Sequence, residues 1–82
     1  MDEKEIAQDL LRKFYKHGVW GKHHWREDTL SKGFPSHIRH IVLRVAEDLR
    51  RKGFLIKFPT SHGVQWYLNI EKLREIEEII KE

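Results

Sequence analysis

The 82-residue sequence predicts an α+β fold, in which helices pack on a C-terminal β-hairpin and a last helix closes the chain. Three observations carry this. Residues 36–52 repeat apolar side chains at helical spacing, and the pattern closes at Arg51-Lys52-Gly53. The next residue starts an apolar strand, FLIKF, and the chain turns through Pro59-Thr60-Ser61-His62-Gly63 to return as VQWYLN. Both ends of the sequence carry further helical periodicity.

The elements follow in order. Ile6, Ala7, Leu10, Leu11 and Phe14 recur at three- and four-residue spacing, so residues 3–17 read as an amphipathic helix with Asp2 as N-cap and Gly18 at its end. Residues 24–31 read as a short second helix, with Trp25 and Leu30 inward and Gly33 ending it. Phe34-Pro35-Ser36 then sets up the third helix, because proline suits a first turn. Along 36–52, Ile38, Ile41, Val42, Val45 and Leu49 share one stripe, with Ala46 at its edge. The opposite face holds Ser36, His40, Leu43, Arg44, Glu47, Arg50 and Arg51, and His37 and Arg39 flank it.

Strands are expected at about 54–58 and 64–69. Phe54, Ile56 and Phe58 alternate with Leu55 and Lys57, and Trp66 and Leu68 alternate with Gln65 and Tyr67. Pro59 and Gly63 bracket a short polar tip. Asn69 then caps a final helix, 70–81, with Leu73, Ile76, Ile79 and Ile80 apolar.

Composition narrows the function classes. The chain is 39% hydrophobic and has no cysteine, so it can bury a core but has neither a disulfide framework nor a thiolate metal site. The charged N-terminus is not a secretion signal, and no apolar run nears the roughly 18 residues of a membrane span. A cytoplasmic, soluble protein is expected. The net charge of +3 conceals an asymmetry: residues 12–57 hold twelve Lys and Arg against Glu27, Asp28, Glu47 and Asp48, while both terminal segments are acidic. A basic centre fits a polyanionic partner.

Within that centre, Ser36 to Arg44 carries no acid. A helix front rich in Arg, His and Ser suits insertion into a major groove, where arginine pairs with guanine edges. The competing reading is a solvated face on a core helix. Six histidines raise a metal site, through His23-His24 or the i, i+3 pair His37/His40, but no cysteine or nearby carboxylate completes a set. No metal and no cofactor is expected. Histidine near neutral pH would make nucleic-acid binding pH-sensitive. No phosphate loop, carboxylate pair or Ser-His-Asp set stands out, so no enzyme is expected.

The order helix, short edge strand, short helix, long helix, hairpin and helix resembles a winged helix-turn-helix domain. The resemblance is sharpest at LRRKGFLIKF followed by GVQWYLN, where Leu49, Lys52, Gly53, Phe54 and Ile56 match the usual junction. It extends over nearly all of 1–82 as a single domain and is closest to the small winged-helix proteins of archaea and their mobile elements. It implies an edge strand near 19–21 and a third helix that reads duplex DNA, in the manner of a transcription regulator. Ser36, His37, Arg39, His40 and Arg44 would face the groove, Lys32 would touch a phosphate before it, and Lys57 and His62 would belong to the wing. A homodimer through the first and last helices is a further expectation. Leu43 departs from the pattern by putting an apolar residue on the reading face. The alternatives are a protein-interaction adaptor, using Leu43, Trp20 and Tyr67, and an RNA-binding winged helix.

Overall fold

The computed structural model describes residues 1–81 and shows an α+β protein of three α-helices and one three-stranded antiparallel sheet. Helix α1 spans Glu3–Lys16. Asp2 caps it by accepting from the Glu5 N–H at 2.8 Å, acids fill its first turn, and Lys13 and Lys16 fill its last, as the helix dipole favours. At its end Gly18 takes φ +63°, with Gly18 N–H on Tyr15 O and Val19 N–H on Phe14 O. Helix α2, Arg39–Arg51, ends in the same way: Gly53 takes φ +88°, its N–H meets Arg50 O, and Phe54 N–H meets Leu49 O. This paired-bond termination needs a left-handed residue, which is why glycine stands at both positions. It also turns the chain straight from α2 into the sheet.

Strand β2, Leu55–Thr60, pairs with β3, Gly63–Leu68, through a two-residue turn at Ser61 and His62. The strand therefore runs through Pro59 instead of stopping before it. Proline is tolerated there because β2 is an edge strand in the order β1-β3-β2. The register places Leu55 opposite Leu68, Lys57 opposite Trp66 and Pro59 opposite Val64 on the face toward the helices. Ile56, Phe58 and Tyr67 lie on the other face.

The connection between α1 and α2 differs most from the sequence expectation. Residues 24–31 do not form a helix. Trp25–Arg26 is a two-residue strand, β1, with Trp25 opposite Trp66 and Arg26 opposite Gln65, and only Glu27–Thr29 makes a 3₁₀ turn. No strand forms at 19–21 either; one bond, Leu68 N–H to Val19 O at 2.8 Å, ties that stretch to β3. The reason is local. Gly18 and Gly21, both at φ +63°, turn the chain on either side of Val19-Trp20. Between Trp25 and Leu30 no apolar residue continues a helical stripe, so the open edge of β3 takes up the backbone instead. The Trp66 indole N–H donates to Glu27 at 3.0 Å and fixes the turn.

Helix α2 is likewise shorter than 36–52, because Ser36–Ile38 is a 3₁₀ turn. The last helix, α3, spans Leu73–Lys81, after a 3₁₀ turn at Ile70–Lys72. Asn69 organises that start: its side chain accepts from Glu71 N–H and donates to Gly53 O at 2.8 Å. One core joins all the elements, with Ile6, Leu10, Leu11, Phe14, Val42, Ala46, Trp66, Leu68 and Ile76 fully buried. Truncating one of the large side chains in such a cluster costs about 2–5 kcal/mol. The first and last helices pack on each other within the chain. Gln8 and Arg12 donate to Ile79 O and Ile80 O, and Tyr15 O–H donates to Glu77 at 2.7 Å, which raises the Tyr15 pKa. Among the described residues no helix is long and apolar enough to cross a membrane.

Candidate nucleic-acid interface

The front of α2 and the end of the hairpin face each other across an open groove of about 510 Å³. Arg39 and Leu43 line it from α2, one helical turn apart on one side. His62, Gly63 and Val64 line it from the hairpin, and Arg26, Glu27, Asp28 and Ser31 close its third side. The tip is held in shape by Thr60, whose hydroxyl accepts from His62 N–H at 3.1 Å and donates to Gly63 O at 2.7 Å. His62 itself is exposed, so the tip presents an imidazole on an ordered turn.

The eight residues expected at a nucleic-acid surface fall into three groups. Arg39 and His62 meet at the groove. Lys32, Ser36, His37, His40 and Arg44 are exposed on the approach to α2 and along its first turns. Arg44 is held by Glu3 at 3.3 Å, across α1 and α2. Both side chains are more than half exposed, so this pair contributes no more than about 1 kcal/mol and gives way easily to a stronger partner.

Lys57 is the exception. Its register opposite Trp66 directs it to the inner face, where the ammonium bonds Glu47 and lies 5.5 Å above the Trp66 ring. A wing contact to a phosphate would take Lys57 out of this pair. Glu47 also accepts from Arg50 at 2.9 Å, and these two cations hold the Glu47 carboxyl below its ordinary pKa, the Lys57 bond contributing most. Arg51 pairs with Asp48 at 3.6 Å. The rear of α2 is thus basic in sequence but largely neutralised in space.

Two features lay outside the sequence reading. The groove carries acids as well as cations: Glu27 is engaged by the Trp66 indole, and Asp28 lies 3.7 Å from Arg26. Only the strand pairing of 25–26 brings these residues beside Arg39, and nothing in the periodicity signals it. The second feature is an aromatic cluster on the outer face of the sheet. There the His24 ring sits 4.9 Å from Phe58 and 5.0 Å from Tyr67, with Nε2 2.8 Å from Gly21 O. Ile56 lies alongside, and Ile70 is 55% exposed at the rim. The alternation through Ile56, Phe58 and Tyr67 was the available signal, and the register that pairs Ile56 with Tyr67 puts all three outward.

Among the described residues, no three of His, Asp or Glu gather as a metal-ligand set, and His37 and His40 have no third partner. No family model, curated protein or solved structure matches this chain.

Proposed function

We propose that this protein is a winged-helix domain that binds duplex nucleic acid, duplex DNA first, with α2 in the major groove and the β2–β3 hairpin against the backbone. The observation that carries this is the placement of Arg39 and the hairpin tip on one groove, continuous with the acid-free stretch Ser36–Arg44, whose Ser36, His37, His40 and Arg44 are exposed. Arg39 supplies a fork for a guanine edge or a phosphate, and Ser36, His37 and His40 supply shorter donors. Lys32 and Arg44 supply sequence-independent attraction. Binding would release Arg44 from Glu3 at small cost, because that pair is solvated. Asp28, held by Arg26 at the groove edge, penalises a phosphate placed directly on it and so favours an approach through α2 and the tip.

The test is binding of the whole chain to duplex DNA, single-stranded DNA and structured RNA across a salt series. Affinity falls with salt at a logarithmic slope of about −0.9 per phosphate neutralised on duplex, so Lys32, Arg39 and Arg44 together give a slope near −3 or steeper. Binding to duplex DNA with that slope, weakened in an Arg39→Ala/Arg44→Ala variant, supports the reading. Equal affinity of the variant and the parent overturns it. Preference for structured RNA would move the same surface to the RNA alternative. The adaptor alternative, expected from Leu43, Trp20 and Tyr67, finds half-buried Tyr67 and Phe58 beside exposed Ile70 on the outer sheet face, and it predicts no binding to any nucleic acid.

A further inference from the structure

We infer that Leu43 reads the C5-methyl group of a pyrimidine in the major groove, so that the duplexes this face prefers place a thymine or a 5-methylcytosine under the middle of α2. The inference rests on the duplex reading above and names what that surface selects.

Leu43 is 36% exposed, although leucine is costly to leave in water. It is not stranded on an unrelated surface. It follows Arg39 by four residues on the same side of α2, lines the same groove, and shares that groove with Val64 of β3. Behind it, the Glu47 carboxylate is engaged by Lys57 and Arg50 and so is not left as a free negative charge beside a base edge. Leu43 and Val64 together give this Arg- and His-bearing groove an apolar strip, which an apolar group covers without stranding a polar one. Among the groups that base edges present in a major groove, the C5-methyl of thymine is the apolar one, and 5-methylcytosine carries the same group at the same carbon. Four residues of helix rise about 6 Å, close to two base-pair steps of 3.4 Å. A hydrogen-bonding arginine and a methyl-reading leucine are therefore spaced about two steps apart along the groove.

The experiment starts from a duplex enriched out of a random pool by the whole chain, and measures its affinity by anisotropy at one fixed salt concentration. Three forms are compared: the duplex itself, the same duplex with thymines replaced by deoxyuridine, and the same duplex with its cytosines C5-methylated. Removing one buried methyl is expected to weaken binding about fourfold, from about 0.8 kcal/mol per CH₂-sized group. Leu43→Ala is expected to bind the thymine and deoxyuridine forms alike, while keeping its salt slope and melting temperature. A loss on deoxyuridine assigns the methyl to thymine, and a gain on methylation alone assigns it to 5-methylcytosine. Indifference of the parent chain to both changes, with salt-dependent duplex binding intact, overturns this inference and leaves the duplex reading standing. An equal response of parent and Leu43→Ala also overturns it. Absence of duplex binding at every salt concentration overturns both.

Discussion

The two halves of α2 carry similar basic residues and have different surroundings. In the front half, Arg39 makes no ion pair among the described residues, His37 and His40 stand in solvent, and Arg44 has one exposed partner reached from α1. In the rear half, Arg50 and Arg51 are each paired three residues back, with Glu47 and Asp48, and Glu47 also takes Lys57 from the neighbouring strand. A count of cations along the helix would rank the halves alike. Their pairing does not: attraction for a distant phosphate depends on charge not already matched at short range. The front half is the one that keeps its field, and it is also the half beside the hairpin tip.

The difference can be broken most severely at the front. Arg39→Ala/Arg44→Ala is expected to weaken duplex binding on the order of a hundredfold, at about 1–2 kcal/mol for each contact, with the melting temperature nearly unchanged. Anisotropy and thermal denaturation of the same variant check both halves of that statement. Gly53→Ala perturbs the end of the rear half without touching a charge. An added Cβ meets only the end of the Lys72 side chain at 3.6 Å, so the cost is the left-handed backbone, about 1–2 kcal/mol. Chemical denaturation is expected to show that loss, while the folded fraction binds as before.

Glu47→Gln sharpens the contrast from the other side. It frees Lys57 and Arg50 at once, so non-specific duplex affinity is expected to rise a few-fold, on the order expected for one or two phosphate contacts. The accompanying loss of stability should stay under about 1 kcal/mol. The same carboxylate gives a pH dependence. Its folded pKa lies below the ordinary 4.5, so its contribution is present above that value and is lost as pH falls through the lowered one. Acid titration of stability is therefore expected to be shallower in Glu47→Gln than in the parent. The smallest change is expected from Arg50→Ala/Arg51→Ala, which should alter duplex affinity by no more than about two- to threefold, because these cations are already matched.

Much of this was legible in the sequence where the physics is periodic or local. The stripes of α1 and α2, the glycines that end them and the cap at Asn69 depend on residues within a turn of one another, and the sequence displays them directly. The connection 18–34 was not legible. A two-residue strand has no period to detect, and its existence depends on the open edge of β3 some 40 residues later. Lys57 illustrates the same limit: its inward direction follows from the register set by the turn at Ser61–His62, and its partner is on another element. Of the site, the acid-free run was plain in sequence. The Arg44–Glu3 pair, the acids at the groove edge and the placing of Leu43 and Val64 on one groove required the folded chain.

The most direct measurement is a backbone amide chemical-shift titration of the whole chain with duplex DNA. Shifts concentrated at residues 32–44 and 61–64, with the rear of α2 and the outer sheet face around Phe58, Tyr67 and Ile70 little changed, are the expected result. Shifts centred on that outer face, or spread evenly over both halves of α2, would contradict the assignment of function to the front of the helix.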